Sequence, residues 1–201
     1  DALTGSFTVT SLYKNKQRWI QGVESSQDQW VVTHKINPYI EVVKCVIPND
    51  SINEIQKDLV VEINKAGTAN DIDTKTRRLE EIEKLILYSE NQCVALQKNI
   101  VGLINFIDLH KKSTMQSMKH LGYQHMSMWT PEEEQFVKNQ LLQRKIAIYS
   151  YIKIYEAVLA EQYVVLWKLK QLEDEEYSAL EILVKQQQQQ QLQQQRDANN
   201  Q

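Results

Sequence analysis

Apolar residues recur at intervals of three and four over two long stretches of the chain. The first reads Leu79, Ile82, Ile86, Ser89, Cys93, Leu96, Ile100, Leu103 and Ile107, a seam in which only Ser89 is polar. Such spacing puts every member on one face of a helix, because 3.6 residues complete a turn. It predicts a helix from about Asp73 to about His120. Past Ile107 the pattern weakens through His110, Thr114 and Ser117.

The second stretch opens on Thr130-Pro131-Glu132-Glu133-Glu134. Thr130 suits the cap, Pro131 the first helical position and Glu133 the capping box, and the three glutamates complement the positive end of the helix dipole. Neither Gly nor Pro follows as far as Gln201, and the strongly apolar part from Phe136 to Val184 would extend roughly 70 Å at 1.5 Å per residue. One seam runs through Ile152, Tyr155, Leu159, Gln162, Leu166, Leu169, Leu180 and Leu183, interrupted at Glu173 and Glu176. A second runs through Ala147, Tyr151, Ile154, Val158, Val165 and Leu172. Two apolar stripes require cover from more than one side, so this is expected to be the central helix of a bundle or a dimer. Gly122 and the run to Trp129 read as a short connection, which makes the two long helices an antiparallel hairpin.

Ahead of them, Pro48-Asn49-Asp50-Ser51 with Glu54 reads as a capping box. It would start a shorter helix with Ile52, Ile55, Leu59 and Ile63 inward and Gly67 as its stop. Residues 10–36 carry a looser helical spacing around Trp19, Val23 and Trp30, broken by Asn37-Pro38. Tyr39 to Ile47 is β-branched enough for a strand, yet a lone strand would have no sheet to join, so it too is taken as helix. The expected fold is therefore all-α: an elongated helical bundle or coiled coil on a long antiparallel hairpin. Its parts are a mostly helical N-terminal segment (1–47), the hairpin (48–185) and a glutamine-rich tail (186–201), a frayed helix or disordered.

Composition agrees. The 201 residues are 42% apolar and 24% charged, with five Gly and three Pro, too few breakers for a fold of strands and tight turns. A net charge of −3 argues against a nucleic-acid partner. Cys45 and Cys93 are too few and too far apart for a disulfide framework or a zinc cluster. No stretch approaches a membrane span and there is no signal peptide, so a cytoplasmic location is expected. The chain opens at Asp1 rather than Met and reads as a segment of a larger protein.

Catalytic chemistry finds no foothold. A carboxylate-bridged dimetal bundle needs Glu-x-x-His pairs, but the residues three before His34, His110, His120 and His125 are Val31, Ile107, Ser117 and Gly122. A phosphate-binding loop and a nucleophile elbow are also absent from the sequence. Met115, Met118, Met126 and Met128 with His120 and His125 have the ligand types for copper, yet a hairpin bend rarely supplies the rigid second shell a metal needs. No cofactor and no metal are expected, and the chain is expected to be non-enzymatic.

The expected function is that of a scaffold or adaptor coiled coil that mediates protein–protein assembly or dimerisation, its partner another protein or a second copy. The candidate interaction residues are Tyr151, Ile154, Val158, Val165 and Leu172 on the surplus stripe, and Met126, Met128 and Trp129 at the hairpin tip. The alternative is a BAR-like, curvature-binding helical dimer with peripheral membrane contact. The likeness lies in helix lengths, a tip loop and a double-faced helix, and Lys111, Lys112 and Lys119 would meet lipid phosphates. Glu173-Asp174-Glu175-Glu176 reads as a solvated acidic face, or else as a patch that sets register or docks lysines.

Overall fold

The computed structural model describes residues 5–7, 20–35, 42–120 and 130–200. Four strands come first: β1 (Gly5–Phe7), β2 (Ile20–Ser25), β3 (Gln29–Lys35) and β4 (Val42–Pro48). Three helices follow: α1 (Asn49–Lys65), α2 (Ile72–His120) and α3 (Pro131–Asn199). The chain is mostly helical, as its long apolar repeats require.

The N-terminal third departs from expectation. Where a mostly helical segment was expected over residues 1–47, the described residues form an antiparallel sheet in the order β1-β2-β3-β4. Residues 20–35 are two strands and not a helix, and Val42–Pro48 is a strand as well. The physical reason lies in the period. Trp30, Val32 and His34 are buried while Val31 and Thr33 between them are half-buried, and Ile47 is buried beside exposed Val46. This alternation is the strand period of two. The spacing of Trp19, Val23 and Trp30 imitated a helix by coincidence. Ser26 to Asp28 form the turn between β2 and β3, where the Ser26 N–H and hydroxyl both donate to the Gln29 carbonyl at 3.0 and 3.2 Å. The remaining positions expected to be helical, residues 10–19 and 36–41, lie outside the described residues.

The start of α1 differs from the expected capping box. The helix begins at Asn49 behind extended Pro48, with no side-chain cap. Glu54 pairs instead with Lys57. The Asn49 N–H donates to the Asp28 carbonyl at 3.2 Å and its side-chain amide to the Gln27 carbonyl at 2.7 Å, which ties the helix to the β2–β3 turn. Its end matches expectation: Gly67 has φ +104°, and a Cβ there would also come within 2.9 Å of the Thr74 methyl. Asp71 then caps α2, accepting from the Thr74 N–H at 2.8 Å and the Thr74 hydroxyl at 2.9 Å.

All nine seam residues of α2, from Leu79 to Ile107, are buried or half-buried. Lys75 and Arg78 at the start of α2 meet Glu176 of α3, while Ser89 and Gln97 further along meet Gln162 and Tyr163. The two helices therefore run antiparallel along this contact. The connection between them, residues 121–129, lies outside the described residues. At the start of α3 the Thr130 hydroxyl accepts from the Glu133 N–H at 3.2 Å, the cap read from sequence.

Through the glutamine tail α3 continues to Asn199. From Lys185 to Asn200 every residue is exposed, so these turns rest on helix propensity alone. Deleting residues 186–201 is expected to change the unfolding free energy by no more than about 0.5 kcal/mol. Urea denaturation of the two chains checks this, and a larger loss would mean that the glutamines pack against something.

Candidate interaction surface

The middle of α3 is enclosed by the chain itself. From Leu159 to Leu169, eight residues are buried: Leu159, Ala160, Tyr163, Val164, Val165, Leu166, Trp167 and Leu169. Helix α2 covers one side, with Gln97 donating to the Tyr163 hydroxyl at 2.7 Å. The sheet covers a second: Trp30 sets its ring edge-on to Trp167 at 5.0 Å, and His34 does the same to Tyr163 at 5.5 Å. Helix α1 approaches a third, where the Lys168 ammonium reaches Gln56 at 2.9 Å and lies 5.2 Å over the Trp30 ring. Burial moves the Lys168 pKa down.

Two of the buried polar side chains, Glu176 and His34, carry or can carry charge. Glu176, nearly buried, accepts from Lys75 at 3.1 Å and from Arg78 at 3.0 Å. Of the acidic run 173–176, then, Glu176 is an internal lock between α2 and α3, whereas Asp174 and Glu175 are exposed. His34 is fully buried on β3, with Nε2 3.8 Å from the Cys45 thiol and Nδ1 without a partner among the described atoms. His34 and Cys45 did not stand out as a pair in the sequence, because their proximity depends on the unforeseen sheet.

A histidine beside a cysteine invites a nucleophile reading, but the electrostatics oppose it. Burial lowers the His34 pKa to about 4. Burial, followed by the charge of Glu156, raises the Cys45 thiol, against a smaller opposing effect of Lys153. Both groups are thus held neutral, the opposite of the thiolate–imidazolium pair that nucleophilic catalysis needs. Tyr163 is likewise raised well above its usual value, first by burial. Among the described residues no group of three or more His, Cys, Asp or Glu is placed to hold a metal ion. The Met/His cluster considered for copper lies outside the described side chains.

Toward the N-terminus of α3 the enclosure ends. On the surplus stripe Tyr151 is 60% exposed, Ile154 59% and Val158 37%, while Val165 on the same stripe is only 2% exposed and Leu172 is half-buried. This divides the candidate interaction residues. Tyr151, Ile154 and Val158 are bare, whereas Val165 is not free for a partner and Leu172 only partly so. The reason is that Val165 belongs to the chain's own core and Leu172 packs against that core, an alternative the repeat pattern alone does not separate from a partner chain. Met126, Met128 and Trp129 lie outside the described residues. A second bare line on α3 consists of Leu142, Ile146 and Tyr149, all about half exposed.

Comparisons with protein-family models, with curated proteins and with solved structures return no match. Among the described residues no helix is long and apolar enough to cross a membrane.

Proposed function

We propose that the chain is a non-enzymatic assembly module, a helical scaffold whose distal half binds a partner protein or a second copy. One observation carries this reading: the stripe closed at Val165 is left bare at Tyr151, Ile154 and Val158. Burying a large apolar side chain contributes ~1.5–3 kcal/mol, so three neighbours on a rigid helix form a favourable anchor for another surface. The rigidity comes from the enclosed centre of α3, which holds the bare segment in place before any partner arrives. In coiled-coil terms the distal half would supply one helix face to a larger bundle. The neutral His34–Cys45 pair speaks against an enzymatic reading.

Ile154→Asp tests the proposal, since an exposed site tolerates the change with an expected cost within about 0.5 kcal/mol. Light scattering gives the mass of the purified chain, and parallel affinity captures compare what the wild-type and variant chains retain. The expected result is a dimer or a bound component lost in Ile154→Asp while melting is unchanged. Identical mass and identical capture for both chains would contradict the reading.

A further inference from the structure

The bare part of the α3 stripe is symmetric about its own middle. Tyr151 and Ile154 stand at the centre, Ala147 and Val158 four residues outside them, and Arg144 and Glu161 seven residues outside. All six keep the spacing of three and four that holds one face of a helix. Arg144, Ala147, Tyr151, Ile154 and Val158 are exposed, and Glu161 is half-buried. At Val165 the face closes into the chain's own core. The open span from Arg144 to Glu161 is therefore about 26 Å long at 1.5 Å per residue.

Charge is confined to the two ends of that span. With Tyr151 and Ile154 as core positions of a heptad, Arg144 and Glu161 are the only charged residues at core and flanking positions from Gln140 to Val165. Lys145, Lys153 and Glu156 fall on other faces of the helix. Among the described residues neither Arg144 nor Glu161 forms an ion pair. Burial moves the Glu161 pKa up, as it does for a carboxylate short of counter-charge. If two such helices paired in parallel, Arg144 would meet Arg144 and Glu161 would meet Glu161. An antiparallel pair about a two-fold axis instead sets Tyr151 on the partner's Ile154, Ala147 on the partner's Val158 and Arg144 on the partner's Glu161.

We propose that the stripe is the interface with a second copy of this chain, the two α3 helices pairing antiparallel with Arg144 of each on Glu161 of the other. This rests on the assembly reading above and names its partner. A two-fold interface requires one patch to match itself in reverse, and this patch does so in its apolar centre and in both of its charges. Opposite charges at the two ends fix the direction and the register, while the four apolar residues between them supply the burial. Helices that cross at about 20° stay in contact over several turns and then diverge, so the pairing can end where the chain's own core closes the face at Val165.

Sedimentation equilibrium of the full chain tests this through charge reversal. The wild-type chain is expected to be a dimer. Arg144→Glu and Glu161→Lys each bring two pairs of like charges together, and each should weaken the dimer about tenfold or more. An equimolar mixture of the two variants can form a heterodimer in which both contacts again join opposite charges, so it should recover most of the wild-type affinity. Circular dichroism checks that each variant keeps its helix content. Should Glu161→Lys lose it, Arg144→Glu on its exposed site carries the test, set against Arg144→Gln, which should weaken the dimer less. A monomeric wild-type chain, a dimer indifferent to these changes, or reversals that the mixture does not rescue would overturn the proposal. A monomer whose affinity capture still retains a component lost in Ile154→Asp would overturn the second copy alone and leave the assembly reading standing. A monomer with identical captures from both chains would overturn both.

Discussion

Replacing Glu176 by alanine is expected to cost about 3–5 kcal/mol of stability, because it leaves two cations nearly buried without a counter-charge. Lys75 and Arg78 both approach this single carboxylate, and all three side chains are less than one-fifth exposed. Their Coulombic gain alone would not make the cluster a net stabiliser, since each ion was first taken out of water. The asymmetry is in the breaking: two charges remain desolvated at the junction of α2 and α3 once the carboxylate is gone. Converting all three to apolar residues of similar size, Lys75→Met, Arg78→Met and Glu176→Leu together, should therefore recover most of the loss. Urea midpoints of the single and triple variants check both halves. A single variant within about 1 kcal/mol of wild type would show that the cluster is hydrated and not a lock.

Acid is expected to weaken the protein through His34. The folded pKa of about 4 lies below the usual value of 6.5, so the neutral imidazole is the form that folds. Above pH 6.5 both folded and unfolded chains carry it neutral and the group leaves stability unchanged. Between pH 6.5 and about 4 the unfolded chain takes up a proton that the folded chain refuses, and stability falls as pH falls. The loss approaches about 3 kcal/mol below pH 4, since each pH unit between 6.5 and about 4 contributes about 1.36 kcal/mol. Carboxylates also titrate near the lower end of this window, so the informative quantity is the difference between wild type and His34→Gln. The variant should lose much less stability between pH 7 and 4, and equal losses in the two chains would mean that His34 is solvated.

The helices were legible because their signal repeats. Nine positions from Leu79 to Ile107 carry the α2 seam, and a repeat of that length outweighs any local irregularity. The double-faced character of α3 was legible for the same reason. What covered it was not, because a stripe such as Tyr151–Ile154–Val158–Val165 states that cover is needed without stating its source. The strands were missed by a linked error. Val42 to Ile47 has strand composition, but a strand is stable only beside others, and the β2 and β3 segments carry a helix-like spacing at Trp19, Val23 and Trp30 that hides them as its neighbours. The β-branched run Val31-Val32-Thr33 was the available signal, while the alternation in burial from Trp30 to His34 does not show in the residue types. With the sheet missed, the His34–Cys45 contact was missed too. Glu176 looked like an interruption of the seam, yet Lys75 and Arg78 just ahead of Leu79 are where an antiparallel partner would place its counter-charges.

If the chain is an assembly module, the bare stripe of α3 is covered in the working protein. Photocrosslinking from that stripe inside cells tests it most directly, with a benzophenone side chain placed at Tyr151 and, as control, at Gln190 on the exposed C-terminal turns of α3. A discrete crosslinked species is expected from position 151, to a second copy or to another protein, and none from position 190. An uncrosslinked chain at position 151, with expression and melting equal to wild type, would contradict it.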